Sequence, residues 1–233
     1  WAAPLVALGC SWLLFRLVQA LAGERVAAWA VVMLNLLPAF NLGATQWRPE
    51  WLAAGLTLLG MYWLWQGLHK ARAWEWRWPA TGAVWGLGLL THWAALGVPL
   101  GLVVVLSVSR RWRKRWFRPG PWLLLGTWAL VGGLPLYWWN ATHAGALGDK
   151  WVEEFGWAAL QWFNGDHWWS WWVQLVLGIS PLLLAAAGWA CVKVLRARER
   201  SDATLFLLAW VGPVLTLSGF AAWFGLGKEV WLV

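Results

Sequence analysis

Few residues in this 233-residue chain can do chemistry, and they stand singly or in pairs at the edges of long apolar runs. Arg48 and Glu50 flank Pro49 just ahead of one such run. A carboxylate there offers a base or a fixed negative charge, and the guanidinium offers a fork for a phosphate. Their plainer roles are charge compensation at a helix N-terminus for Glu50 and a surface ion pair with it for Arg48. His92 stands between two apolar runs, where a protonated imidazole could face a phosphate and a neutral one is a polar group near an interface. Asp166-His167 could donate to a divalent metal, although one adjacent pair supplies fewer ligands than such an ion needs; the His167 ring beside Trp168 serves equally as an interface anchor. Asn140-Ala-Thr142 has the pattern of a glycosylation sequon, a three-residue match that is common by chance. Cys10 and Cys191 lie inside apolar segments without ligand-like neighbours, which gives them the role of small core residues.

The elements that must position these groups follow from where charge is absent. Val26–Trp47, Pro79–Ser109 and Trp168–Val192 contain no Lys, Arg, Asp or Glu, and each can hold at least one helix across a hydrocarbon core of ~30 Å. Spans are expected near 2–21, 26–42, 50–68, 79–91, 93–108, 121–139, 168–190 and 203–226. The fold class is therefore all-α: a polytopic transmembrane helix bundle of about eight membrane segments, forming one domain over residues 1–233. In the long outer loop Asn140–His167, Trp151, Phe155, Ala158 and Trp162 recur at helical spacing, which predicts a helix lying in the membrane interface.

Orientation follows from the basic residues. Of the 18 Lys and Arg, 15 lie at or beside four short gaps: Arg16 and Arg25 around the first, then Lys70–Arg77, Arg110–Arg118 and Lys193–Arg200. Positive-inside sorting places these gaps in the cytoplasm, with a net +11 there against −3 on the other side, which together make the overall +8. Trp1 and Val233 then both face outward. Two basic loops flank Pro79–Ser109, so an even number of crossings must fit between them. Two helices of about 15 residues, reaching ~22 Å each, satisfy this as a short hairpin with its tip around Leu90-Thr91-His92-Trp93. A single tilted span is the competing arrangement, and it would carry one basic loop outside.

Composition agrees with a membrane protein: 61% hydrophobic, 12% charged, and 29 Trp expected to collect at segment ends in the headgroup layer. The basic residues sit in short loops between spans, which argues against nucleic acid as a partner. The chain opens on Trp1 with no basic n-region ahead of the first apolar run, so it is expected to be a piece of a longer protein.

The order of short motifs resembles the polyprenyl-phosphate-sugar-dependent glycosyltransferases of family 39 and its relatives, the protein O-mannosyltransferases and the lipid A aminoarabinose transferase. The resemblance covers nearly the whole chain. It runs from Phe15-Arg16 and Gly23-Glu24-Arg25 to Pro38-Ala-Phe and Pro49-Glu50. It continues through Gly86-Leu-Gly-Leu-Leu-Thr-His92-Trp93, Leu134-Pro135-Leu-Tyr-Trp-Trp-Asn140, His167, Ser180-Pro181 and Lys228-Glu-Val-Trp231. The chain departs from the family at Glu50, usually Asp, and at His92, usually Lys. The resemblance implies sugar transfer from a polyprenyl-phosphate donor to an acceptor lipid, glycan or protein on the non-cytoplasmic face, in a bacterial inner membrane. Glu50 would belong to the catalytic site, His92, Arg48, Asn140 and His167 would meet substrate, and Asp166 with His167 would serve a divalent metal where one is used. The family's catalytic base lies in an outer loop upstream of the span matching residues 2–21, a loop this chain lacks, so the fragment alone is expected to be inactive. The alternatives are a transporter or lipid flippase, for which paired intramembrane charges and a pseudo-repeat would be expected, and a noncatalytic assembly subunit.

Overall fold

A computed structural model describes residues 2–45, 49–69, 75–92, 95, 97–108, 110–143 and 201–210, and every element there is helical. Helix α1, Ala2–Ala22, ends where Gly23 adopts φ 91°, a left-handed backbone that suits a residue without Cβ. The Gly23 N–H donates to the Gln19 carbonyl at 3.1 Å, and the chain turns directly into α2, Glu24–Leu36. Arg16, assigned from sequence to the first charged gap, instead lies within α1 and packs over the rings of Trp12 and Tyr62, 5.8 and 5.9 Å from their centroids.

The single span expected over 26–42 is broken. Leu37 precedes Pro38 and adopts φ −70°, ψ 123°, because the proline ring disfavours a helical residue before it. Helix α3, Pro38–Thr45, then restarts, and the Asn41 side chain ties the break by donating to the Asn35 and Leu37 carbonyls at 2.8 and 3.2 Å.

Helix α4, Pro49–His69, runs beside α1 in the same direction: Cys10 lies against the Trp51 carbonyl, and the Trp65 indole donates to the Ala20 carbonyl at 3.2 Å. Cys10 is a buried core thiol, as expected. Helix α5, Arg77–Thr91, returns along α4, with Trp78 over Gly67 and the Trp85 indole donating to the Thr57 carbonyl at 3.3 Å. After His92 the chain runs down again as α6, Gly97–Val108, then a short α7, Arg110–Arg113, and a 3-10 turn, Lys114–Phe117. Of the two short helices on either side of His92, α5 has the expected 15 residues and α6 is shorter, at 12, and their far ends meet at one end of the bundle: Trp112 packs edge-on to Trp65, and Trp78 covers both Gly67 and Gly120.

Helices α8, Pro119–Trp128, and α9, Leu134–Thr142, are joined without a break by a π turn, Ala129–Gly133. Pro135 has no N–H to donate and its ring crowds the carbonyl one turn earlier, and the wider turn relieves both; the Leu134 N–H reaches back to the Ala129 carbonyl. The helix passes the expected end at 139 and takes in Asn140, so the sequon is helical. The Thr142 hydroxyl bonds back to the Trp138 and Trp139 carbonyls at 3.0 Å each.

Helix α5 occupies the centre, with α4 on one side and the α8–α9 rod on the other. Its contact with the rod is backbone to backbone, because Gly82 and Gly86 leave room for Leu124, Thr127, Val131 and Gly132. A helix over 202–210 places Phe206 and Trp210 in the same core. Here the tryptophans depart from expectation. Trp138 and Trp139 are exposed near a segment end, but Trp65, Trp78, Trp85, Trp112 and Trp210 are buried. Trp85 lies over Gly60 and Trp210 over Gly101, where any Cβ would collide with the indole. Glycine opposite tryptophan lets a large flat ring fill the space between helices.

By length and composition α1 is the one helix among the described residues apolar and long enough to cross a membrane. The expected segment 168–190, the interfacial helix around Trp151–Trp162 and Cys191 lie outside the described residues.

Candidate functional site

The two ends of the bundle carry different chemistry. At the basic end, arginines serve the helices. Arg113 donates through Nε and Nη2 to the Ser107 carbonyl at 3.2 and 2.8 Å, and Arg115 donates to the Gly67 and Leu68 carbonyls at 3.4 and 2.8 Å. These acceptors lie in the last turns of α6 and α4, where carbonyls lack intrahelical partners and the helix dipole favours a cation. Arg77 pairs with Glu75, and its guanidinium stacks over Trp76 at 5.2 Å.

The opposite end gathers three of the residues singled out from sequence. Glu50 occupies the first turn of α4. His92 follows the last residue of α5 in an extended conformation, φ −157°, ψ 133°, with its N–H on the Gly88 carbonyl at 3.0 Å and its carbonyl accepting from Ala95 at 3.1 Å. Since the Trp85 indole meets Thr57 and the two helices are antiparallel, Glu50 and His92 each lie seven residues, roughly 10 Å, beyond that contact on the same side. Asn140 reaches this end from the other flank. Helices α5 and α8–α9 run parallel from Trp78 on Gly120 through Gly86 on Gly132. Beyond that crossing His92 is about 9 Å along its helix and Asn140 about 12 Å along its own. Gly132, Leu136 and Asn140 form the less exposed stripe of the rod, so Asn140 stands on the bundle-facing side.

One residue at this end escaped the sequence reading. His143 lies three positions after Asn140 and stacks on Trp139, with ring centroids 4.4 Å apart and planes at 15°. Its Nδ1 is 2.8 Å from the Trp139 carbonyl and 3.1 Å from the Thr142 hydroxyl. A carbonyl can only accept, so Nδ1 carries the proton, and in the neutral ring Nε2 is left as an acceptor. The readable signal was the i, i+3 spacing from Asn140, which puts both on one helix face.

The end opposite the arginines thus holds an acid, two imidazoles and a carboxamide on three helices. Such a set can bind a polar, anionic ligand and handle a proton. Arg48, Asp166 and His167 lie outside the described residues. Among the described residues no three His, Cys, Asp or Glu side chains come together as a metal-binding group.

Residues 1–139 match the family described as dolichyl-phosphate-mannose-protein mannosyltransferase. A 68-residue stretch, 29% of this chain, is 38% identical to the uncharacterized protein YesK of Bacillus subtilis (strain 168) and covers 59% of that protein. The chain therefore spans less than two thirds of the curated relative it matches. No solved structure matches.

Proposed function

Because the chain belongs to the dolichyl-phosphate-mannose-protein mannosyltransferase family, we propose that it is part of a membrane glycosyltransferase that moves a sugar from a polyprenyl-phosphate donor to an acceptor on the non-cytoplasmic face. The observation that carries this reading is the separation of the two ends. Basic side chains cap helices at one end, and the helix positions of Glu50, His92 and Asn140 lie toward the other, on three separate helices. With about eight membrane segments and the basic end in the cytoplasm, the second group faces the compartment where a lipid-linked sugar is used.

In this reading the departing lipid phosphate needs positive charge, which a protonated His92 supplies at the break between α5 and α6. Arg48, adjacent in sequence to Pro49, adds a bidentate anion partner. Glu50 fixes negative charge near the sugar or assists the base that deprotonates the acceptor, and Asn140 orients hydroxyl groups by donating and accepting. A divalent metal at Asp166 and His167 would share the phosphate charge.

The test is transfer from a polyprenyl-phosphate sugar by the full-length protein in proteoliposomes. Glu50→Gln is expected to lower the rate at least about tenfold, equivalent to ~1.4 kcal/mol of transition-state stabilisation, with expression unchanged. Near-normal turnover would return Glu50 to the role of a helix-end charge.

A further inference from the structure

Helices α1 and α2 are linked by one pair of polar side chains. Asn35 donates through Nδ2 to the Ser11 hydroxyl oxygen at 3.3 Å and, with its other amide proton, to the Val31 carbonyl at 2.9 Å. Those bonds use both amide protons, so Asn35 Oδ1 is left as an acceptor and the Ser11 hydroxyl, having accepted, is left as a donor. Neither has a partner among the described residues, and Asn35 is exposed.

Depth gives this deficit its weight. Helix α1 is apolar and long enough to cross a membrane, and Ser11 stands about 14 Å from Ala2 and about 17 Å from Ala22, near its middle. Hydrocarbon at that depth supplies neither a donor nor an acceptor. Asn41, the other exposed amide of this hairpin, differs: both of its protons hold the break at Leu37, and it offers an acceptor alone.

One donor beside one acceptor is self-complementary. Across a twofold axis the Ser11 hydroxyl of each copy donates to the partner's Asn35 Oδ1, and both deficits close at once. Ser11 and Asn35 lie at one depth because they bond to each other. Two copies inserted the same way round are related by an axis along the membrane normal, which preserves that depth. The flanks permit approach: Leu8 and Val32, each one turn before the polar residue of its own helix, are 67% and 46% exposed, and Ala28, a further turn away, carries only a methyl group. An acyl chain would leave both polar groups unfilled. A different partner helix would have to bring a donor and an acceptor at the same spacing, which a second copy already has.

We propose that the Ser11–Asn35 pair is the centre of a homodimer interface within the membrane, closed by two reciprocal hydrogen bonds from Ser11 of one copy to Asn35 of the other. The inference rests on the membrane reading of α1 and not on sugar transfer.

The experiment counts labelled subunits of the full-length protein by single-molecule photobleaching in liposomes of falling protein-to-lipid ratio. The wild type should pass from dimer to monomer with dilution. Asn35→Leu and Ser11→Ala should each lower the association constant about eightfold, the effect of losing two interhelical bonds of average strength in a membrane. The double variant should be no weaker than either single one, because each alone already breaks both bonds. Ser11→Thr, which keeps the hydroxyl, should dimerise as the wild type does; if it dissociates like Ser11→Ala, the hydroxyl is not the contact and the interface falls. A wild type that is monomeric at every dilution, single variants that dimerise normally, or additive losses in the double variant would each overturn the proposal. So would a different membrane protein held by the wild type in place of a second copy and lost with Asn35→Leu. Glu50→Gln should dimerise normally whatever its transfer rate, so the two readings fail separately.

Discussion

Placing a methyl group at Gly86 tests whether the contact between α5 and the α8–α9 rod holds the bundle together. A Cβ there would sit 2.9 Å from the Gly132 nitrogen, 2.9 Å from the Val131 Cβ and 3.1 Å from the Trp128 carbonyl oxygen. Two of these are backbone atoms, so no side chain can swing away. Restoring ordinary separations of about 3.5–4.0 Å moves the helices apart by roughly 0.5–1 Å, which forfeits a quarter to a half of each dispersion contact along the seam. Overpacking of this kind costs about 1–3 kcal/mol, and the better helix propensity of alanine returns up to ~1 kcal/mol. Gly86→Ala should therefore destabilise by about 0.5–2 kcal/mol. Gly126→Ala makes the same chemical change in the next helix, where the new methyl meets nothing, and should stabilise by about 0.5–1 kcal/mol. For a chain of this size the pair should be separated by several degrees in thermal unfolding, roughly 3–10 °C, followed by monodispersity of the purified protein in detergent. If the two variants melt together, the glycine seam is not what sets the packing of α5, and the register that aligns His92 with Asn140 loses its physical basis.

Reporter fusions after Trp47 and near Gly148 should read outside, and fusions near Arg72, Arg113 and Arg198 cytoplasmic; Arg72 and Arg113 on opposite sides would defeat the short pair of helices around His92. For the donor site, His92→Lys should preserve transfer and His92→Leu should lose it. A lysine keeps its proton about four units above an ordinary imidazole, so activity that declines with rising pH in the wild type should decline later in the lysine variant. Equal rates and pH profiles for all three would remove His92 from the site.

Much of the fold was legible because absence of charge is a strong signal. The boundaries of α1, α4 and α5 fall within about two residues of those read from apolar runs, and the break at His92 is where parity required it. The misreadings have separate physical causes. Pro38 splits a run that is apolar on both sides, so hydropathy does not register the break while the restriction on Leu37 does. A cation reads as a boundary and so points Arg16 to a loop, yet its long side chain lies on Trp12 and Tyr62 from inside a helix. An indole favours the headgroup layer, which is where composition points the tryptophans. Burial of Trp85 and Trp210 instead follows from Gly60 and Gly101 on partner helices, a pairing between distant residues that composition cannot show.

The site divides in the same way. Which end Glu50, His92 and Asn140 share could be derived from charge asymmetry alone, since each follows a crossing of known parity. Which face of its helix Asn140 occupies could not. A π turn carries one residue more than the α turn it replaces, so every side chain after it is rotated by about 100° from where 3.6-residue counting puts it. The turn over Ala129–Gly133 therefore decides that Leu136 and Asn140 continue the stripe begun at Gly132 toward α5 rather than away from it. Its cause is written in the chain as Gly132-Gly133 followed by Pro135, but those residues are equally compatible with a kink or a helix end. What selects the π turn is the close approach of Gly86 to Gly132, with the Gly86 carbonyl oxygen 2.7 Å from a Cβ built at Gly132. A bulge there keeps the rod continuous while its backbone stays against α5. The geometry of the polar end is thus set by a contact roughly 9–12 Å inside the bundle.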